Sequence, residues 1–398
     1  MQADQDIKLM ERKNWIMNTK VLYDFIASCN TPTQVLSLES LPLPLPKNLD
    51  GICHQFIATG SNAPEGEQNF IMIYRALLPS EALDEKLKCY SNCADYDGFP
   101  VPEIENEGIC SQIAKIPHQG EVNRLKASSI DIGILATQNN SGLVTLYKLS
   151  NYEQTAQLNG STEEGFGLNF YNDRPNVMGS FNDGTLKVWD LNSNSVTCEY
   201  KHGSGINSLV HTFENCIAAA TEDGLLLFID ERCKSVVGKI ENETGKIAIN
   251  TIAATKFNSK LVATGSNTGD IHFWDIRNTS TPSYMIKAHE SPIIRVEFNQ
   301  HEKSILATAS EDGTVQIFNM DNAGLELSDD DSEDCPEELV FNHTGHQDAI
   351  TDFTWSCHDS TKYMVISAAQ DETLQFWQPS KDALIYEGES DIPDSDVE

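Results

Sequence analysis

Two histidines carry the residues that most resemble a catalytic arrangement. His289 and His346 each stand just ahead of a short apolar run, and each is followed by a Ser or Thr, then an Asp and then an aromatic residue. Ser, His and Asp brought together could transfer an acyl group, because the imidazole takes the hydroxyl proton and the carboxylate orients the imidazole. Here the same order recurs along the chain, so each set lies within its own repeating unit. Groups confined in that way do not converge on one substrate, and the expected role is a buried hydrogen-bond network. Ten cysteines invite the question of zinc. The closest pair, Cys89 and Cys93, has no second pair after it, whereas a structural zinc site needs four ligands. The cysteines are read as reduced thiols, with no metal. No phosphate loop, nucleophile elbow or metal box is present. No enzyme activity, catalytic residue or cofactor is therefore expected.

The elements that must hold these groups form a repeat. One column reads FIATGS (56–61), ILATQ (134–138), VMGSF (177–181), IAAAT (217–221), VATGS (262–266), LATAS (306–310) and VISAA (365–369). A polar turn follows each, then an apolar run ending at Tyr74, Tyr147, Trp189, Ile229, Trp274, Phe318 and Trp377. From 147 to 318 the spacings are 42, 40, 45 and 44. A period of about 40–45 residues with Trp-Asp, as in Trp189-Asp190 and Trp274-Asp275, marks one four-stranded propeller blade. Asp183-Gly184, Asp223-Gly224 and Asp312-Gly313 supply tight turns, since Gly tolerates positive φ and Asp bonds its own backbone. The reading is all-β: a seven-bladed WD-repeat β-propeller over 31–379, with an N-terminal helix over 1–30 and a short helix and acidic tail over 380–398. Two long gaps are read as insertions, 80–112 and 324–340.

Charge constrains the partners. The chain carries 60 acidic and 27 basic residues, a net charge of −33. Such a surface repels nucleic-acid phosphates and favours a basic partner, so direct DNA binding is not expected. Residues 326–338 hold eight acids and no base, and 382–398 hold seven more acids. These two strips suggest acidic docking surfaces. No run of 18 apolar residues and no signal-peptide core is present, so no membrane role is expected, and the expected location is nucleus and cytoplasm.

The flanks narrow the reading. Asn14–Ile26 (NWIMNTKVLYDFI), His118–Arg124 (HQGEVNR), Glu164–Leu168 (EGFGL), Asp331–His346 (DSEDCPEELVFNHTGH), Ile350–Trp355 (ITDFTW) and Gln375–Gln378 (QFWQ) resemble the histone-binding WD-repeat proteins. These comprise the retinoblastoma-binding chaperones, the small subunit of chromatin assembly factor 1 and subunit 2 of type B histone acetyltransferase. The resemblance covers essentially the whole chain. It implies a scaffold that binds histones H3 and H4 and joins an acetyltransferase or chromatin assembly factor subunit. It also implies a side groove for the first helix of histone H4, lined by Leu22, Phe25, Ile26 and Phe341, with Asp331 and Asp334 facing basic side chains and Ile385 closing the far end. A top-face site for the H3 tail would use Glu121, Asn123, Arg124, Glu164, Phe166 and Asn250.

Several positions depart from that pattern. Asn207 and Gln370 replace acids, and Pro292, Ile294 and Arg295 replace an acidic and aromatic stretch. Arg295 near the channel is expected to repel a basic tail. Thr31-Pro32 stands where the family has Trp-Pro, so altered ring closure is expected. Trp274-Asp275-Ile276-Arg277 also resembles the WDxR box of cullin-4 ubiquitin ligase receptors. A ribosome-biogenesis chaperone is the other alternative, although the longer acidic N-terminus of those chains is missing.

Overall fold

The computed structural model describes residues 2–43, 52–79, 89–90, 100–101, 110–213, 215–241, 246–278, 281–324 and 336–384. Seven antiparallel four-stranded sheets form the blades. Blade 1 runs Gln34–Leu41, Ile52–Asn62, Asn69–Pro79 and Cys110–His118, and blade 2 begins at Val122–Ala127. Blades 3 to 6 begin at Gly167–Phe170, Ile206–His211, Ile249–Thr255 and Ile293–Phe298. The first strands of successive blades touch one another around a closed circle, and so they line the central channel. The repeated small-residue column falls on the second strands. Ala218, Ala219 and Ala220 are fully buried there, since a sheet sandwiched between two neighbours has room only for short side chains.

Blade 7 closes the ring with strands from both ends of the chain. Ile350–Trp355, Val365–Ala369 and Thr373–Pro379 pair in order, and Tyr23–Asn30 adds the fourth, outermost strand. Its register runs from Phe25 opposite Gln378 to Asn30 opposite Thr373. The expected helix over 1–30 is therefore corrected: helix α1 spans Gln2–Leu22 and the ring begins at Tyr23. The apolar run YDFIA fits either period, but both of its faces are buried in the structure, which only a strand between packed blades satisfies. Thr31-Pro32 does not disturb the closure. The Thr31 amide and hydroxyl both donate to the Glu372 carbonyl, at 2.8 and 3.0 Å.

The insertion edges also move by a few residues. Cys110–His118 is the outer strand of blade 1 and Leu339–His343 that of blade 6, so 110–112 and 339–340 belong to blades. Most of 80–109, all of 325–335 and everything after 384 lie outside the described residues.

The second-to-third-strand turns behave as their residues require, with one exception. Gly184 and Gly313 sit at φ +82° and +85°. In blade 7 the equivalent position is Glu372, at φ +59°. A side chain in that region pays a steric cost that Gly avoids. Glu372→Gly is expected to raise stability by about 0.5–1 kcal/mol, the relief of strain being partly offset by the freer unfolded chain. Thermal melting checks this, and a lower melting temperature would contradict it.

Candidate functional site

The Ser/His/Asp sets are structural. In blade 7 the Trp377 indole N–H donates to Ser367 Oγ (3.0 Å), which pairs with His346 Nε2 (2.8 Å). The other imidazole nitrogen faces Thr373 Oγ1 (3.1 Å) and Asp371 (3.5 Å). Ser367 is fully buried and His346 nearly so, which leaves no approach for a substrate. Blade 6 repeats the arrangement with His289, Thr308 and Asp312, each pairing at 2.8 Å, but Phe318 occupies the Trp position and brings no N–H. Among the described residues no group of three or more His, Cys, Asp or Glu is placed to hold a metal ion, and no helix is long and apolar enough to cross a membrane.

The side region lies where α1 rests on blades 6 and 7. Trp15, Ile16 and Thr19 are buried along one side of the helix. The Trp15 indole N–H donates to the Tyr23 hydroxyl (3.2 Å), which bonds His343 Nδ1 (2.8 Å). Arg12 lies 4.4 Å above the Trp15 ring and donates to the Gly345 carbonyl. Burial, together with nearby His346 and Arg12, holds His343 well below the ordinary imidazole pKa, so it stays neutral beside the Tyr23 hydroxyl. At the end of α1 the Leu22 carbonyl accepts from the Ser380 amide (2.9 Å), joining it to the second helix, α2, Lys381–Leu384. That helix touches the Leu339–His343 strand.

Four of the predicted groove residues, Leu22, Phe25, Ile26 and Phe341, fall in this region, in different roles. Leu22 is 41% exposed. Phe25 and Ile26 are fully buried in the ring-closing strand and offer no surface to a ligand. Phe341 is nearly buried, edge-on to Tyr23 (5.1 Å) and stacked with Trp377 (5.8 Å). Asp331, Asp334 and Ile385 lie outside the described residues. Sequence reasoning missed Met17 and the 77%-exposed Val21, which with Met10 form an apolar stripe on α1 opposite Trp15 and Thr19. The signal was their helical spacing, seven residues and then four.

On the top face the six predicted residues divide evenly. Asn123 donates to the Gly165 carbonyl (3.4 Å), Asn250 to Ile293 (3.1 Å) and Arg124 to Phe166 (3.0 Å). Each of these is a strut to the next blade. Glu121, Glu164 and Phe166 face outward at least in part, Phe166 being 38% exposed. Asn207 is also a strut, donating to the Ile249 carbonyl (3.1 Å).

Arg295 does not present a free positive charge. It is buried in the channel and pairs with Asp352 (2.9 Å) and Glu297 (2.7 Å). Arg124 also reaches Asp352 (3.3 Å), and Lys126 pairs with Glu39 (2.6 Å). Burial opposes the Arg295 charge, but Asp352, Glu297 and Glu39 outweigh it and hold its pKa above the ordinary value. Three bases thus meet three acids, and the expected repulsion of a basic tail by Arg295 is removed.

Seven WD-type blades with a helix seated on the last two define a WD-repeat propeller. Residues 337–378 match the WD domain, G-beta repeat, model, and 191–354 match that of the nucleolar protein 10-like N-terminal domain. Residues 10–80, which include most of α1 and the ring-closing strand, match the model that describes histone-binding protein RBBP4 and its counterpart in the CAF1 complex. The chain is 27% identical to histone acetyltransferase type B subunit 2 of Candida glabrata, over 98% of this chain and 92% of that protein. It is 24% identical to the proteins of the same name from Debaryomyces hansenii (98% and 94%) and Kluyveromyces lactis (92% and 91%). The resemblance to histone-binding WD-repeat proteins therefore extends over nearly the full length.

Proposed function

We propose that this chain is a non-catalytic histone-binding subunit of a chromatin assembly or histone acetyltransferase complex. It holds the first helix of histone H4 beside α1. The observation that carries this reading is the match over 10–80 to a histone-binding model, on the segment that forms α1 and the closing strand. The mode is an amphipathic helix laid on an apolar surface with an acidic rim. Leu22 offers the exposed apolar contact, Phe341 with Phe25 and Ile26 the support, Asp331 and Asp334 the acidic rim, and Ile385 closes the far end. The H3 tail would meet Glu121, Glu164 and Phe166 on the top face. Location in nucleus and cytoplasm, and absence of direct DNA binding, belong to the same proposal. The match to a nucleolar protein 10-like domain favours a ribosome-biogenesis chaperone as the second reading.

Fluorescence anisotropy with a labelled H4 first-helix peptide tests the main reading. Leu22→Asp is expected to weaken binding at least tenfold, about 1.4 kcal/mol. Asp331→Asn with Asp334→Asn should cost about 0–1 kcal/mol each, fading as salt rises. A folded wild type that ignores the peptide but takes up a basic ribosomal protein would transfer support to the second reading. Phe341→Ala is a poorer probe, because its burial against Tyr23 and Trp377 mixes binding with stability.

A further inference from the structure

Phe257 is 47% exposed on the tight turn Lys256-Phe257, which joins the first two strands of blade 5, with Thr255 paired to Asn258 across it. First strands start at the top face, where Glu121 and Glu164 precede two of them, and this turn follows the end of one. It therefore lies on the opposite face of the propeller. A lone exposed phenyl ring on a turn is ordinary. This one forms the wall of a cavity of about 380 Å³ between blades 5 and 6, with Leu261, Phe273, Tyr284, Phe298 and Met320. Phe273 and Phe298 are buried and meet edge-on at 6.5 Å, which makes a firm aromatic floor. A space of this size with apolar walls holds one large side chain.

The rim is basic, in a chain whose net charge is −33. Lys303 lines the cavity, Lys256 places its ammonium 5.2 Å from the centre of the Phe257 ring, and Lys260 follows two residues after Asn258. All three lysines are exposed. The acids around them are engaged. Arg277 donates to Asp275 (2.9 Å), and Lys362 pairs with Glu302. The Gly324 amide donates to Glu337 (2.7 Å), and the Tyr284 hydroxyl donates to Glu338. Among the described residues, Asp321 is the one acid on the cavity lining.

We propose that this cavity is a docking site for an acidic peptide segment of a partner protein, which inserts one aromatic side chain over the Phe273–Phe298 floor while its carboxylates meet Lys256, Lys260 and Lys303. The sign of the charge selects the occupant. A basic segment would meet three ammonium groups here, whereas Glu121 and Glu164 face it on the opposite face. An aromatic anchor in a pocket with a charged rim is a common way for a short segment to bind. The two faces thus suit partners of opposite charge, and the site does not depend on the histone-binding reading.

A fluorescein-labelled peptide with one central tryptophan between two runs of glutamates tests this, by anisotropy against the full chain at low salt. Saturable binding is expected. It should weaken about tenfold or more when alanine replaces the tryptophan or lysines replace the glutamates, and it should weaken as salt rises. Phe257→Ser, and Lys256→Glu combined with Lys303→Glu, should each weaken it about tenfold or more. These positions are exposed, so the variants should keep the wild-type circular dichroism spectrum and melting temperature. They should also keep the wild-type response to the H4 first-helix peptide, which tells a failure here from a failure of the histone-binding reading. No saturable binding by a folded wild type would overturn the proposal. So would binding that these substitutions leave unchanged, or a preference for the lysine peptide. Sedimentation velocity covers another occupant: self-association of the wild type that Phe257→Ser abolishes would assign the cavity to a second copy of this chain, and would also overturn the proposal.

Discussion

Asp352→Ala is expected to lower the unfolding free energy by about 3–5 kcal/mol. Asp352 is fully buried on the inner strand of blade 7 and accepts from the Leu38 amide of blade 1 at 2.8 Å. It also faces Arg295 of blade 6 at 2.9 Å and Arg124 of blade 2 at 3.3 Å. One carboxylate therefore joins four blades across the channel. Removing it leaves two guanidinium groups in a poorly solvated space with less compensation. The lost attraction is smaller than the cost of charge left buried. A double variant separates the two terms. Arg295→Met added to Asp352→Ala should recover part of the loss, because one uncompensated charge goes with it. Urea denaturation with a two-state fit reads both values. Strictly additive losses would show that the charges do not act as a unit.

This network also marks the limit of what the sequence discloses. The seven blades could be read from a short apolar column and a Trp-Asp spacing, because each blade is a local unit that repeats its own turn and core. The His346–Ser367–Trp377 set could be read for the same reason: all three lie in one repeat. Glu39, Arg124, Arg295 and Asp352 come from four different blades, and nothing near any of them indicates its partner. Arg295 taken alone looked like a repulsive charge; Glu297 stands two residues on along its own strand, but only closure of the ring brings Asp352 beside it. The N-terminal boundary failed differently. Trp15, Leu22, Phe25 and Ile26 suit one helical face, but the strand edge left open by Thr373–Pro379 captures Tyr23–Asn30. That long-range pairing overrides the local period. It also makes Phe25 and Ile26 supports instead of contacts, since a strand enclosed by packed blades presents no apolar face to solvent.

Trp377→Ala is the second large effect, expected at about 3–5 kcal/mol as a buried aromatic truncation. Trp377 is fully buried and its indole N–H bonds Ser367 Oγ at 3.0 Å. Its ring stacks on His343 at 4.1 Å and 8°, and meets Phe341 at 5.8 Å and Tyr23 at 6.3 Å. It therefore joins the core of blade 7 to the outer strand of blade 6 and to the residues under α1. Trp377→Phe separates the hydrogen bond from the packing. Blade 6 already contains that substitution in effect, since Phe318 stands at the matching place while His289, Thr308 and Asp312 keep their bonds. A phenyl ring retains most of the contact area but leaves Ser367 without its donor, so a loss of about 1–2 kcal/mol is expected. The ordering Ala, then Phe, then wild type should hold in guanidinium denaturation. It should also hold in the Trp15 environment reported by fluorescence, since Trp15 meets Tyr23 and His343, and both meet Trp377. If Trp377→Ala melted with wild type, the indole would not hold the blades together, and α1 would rest on Tyr23 and His343 without its help.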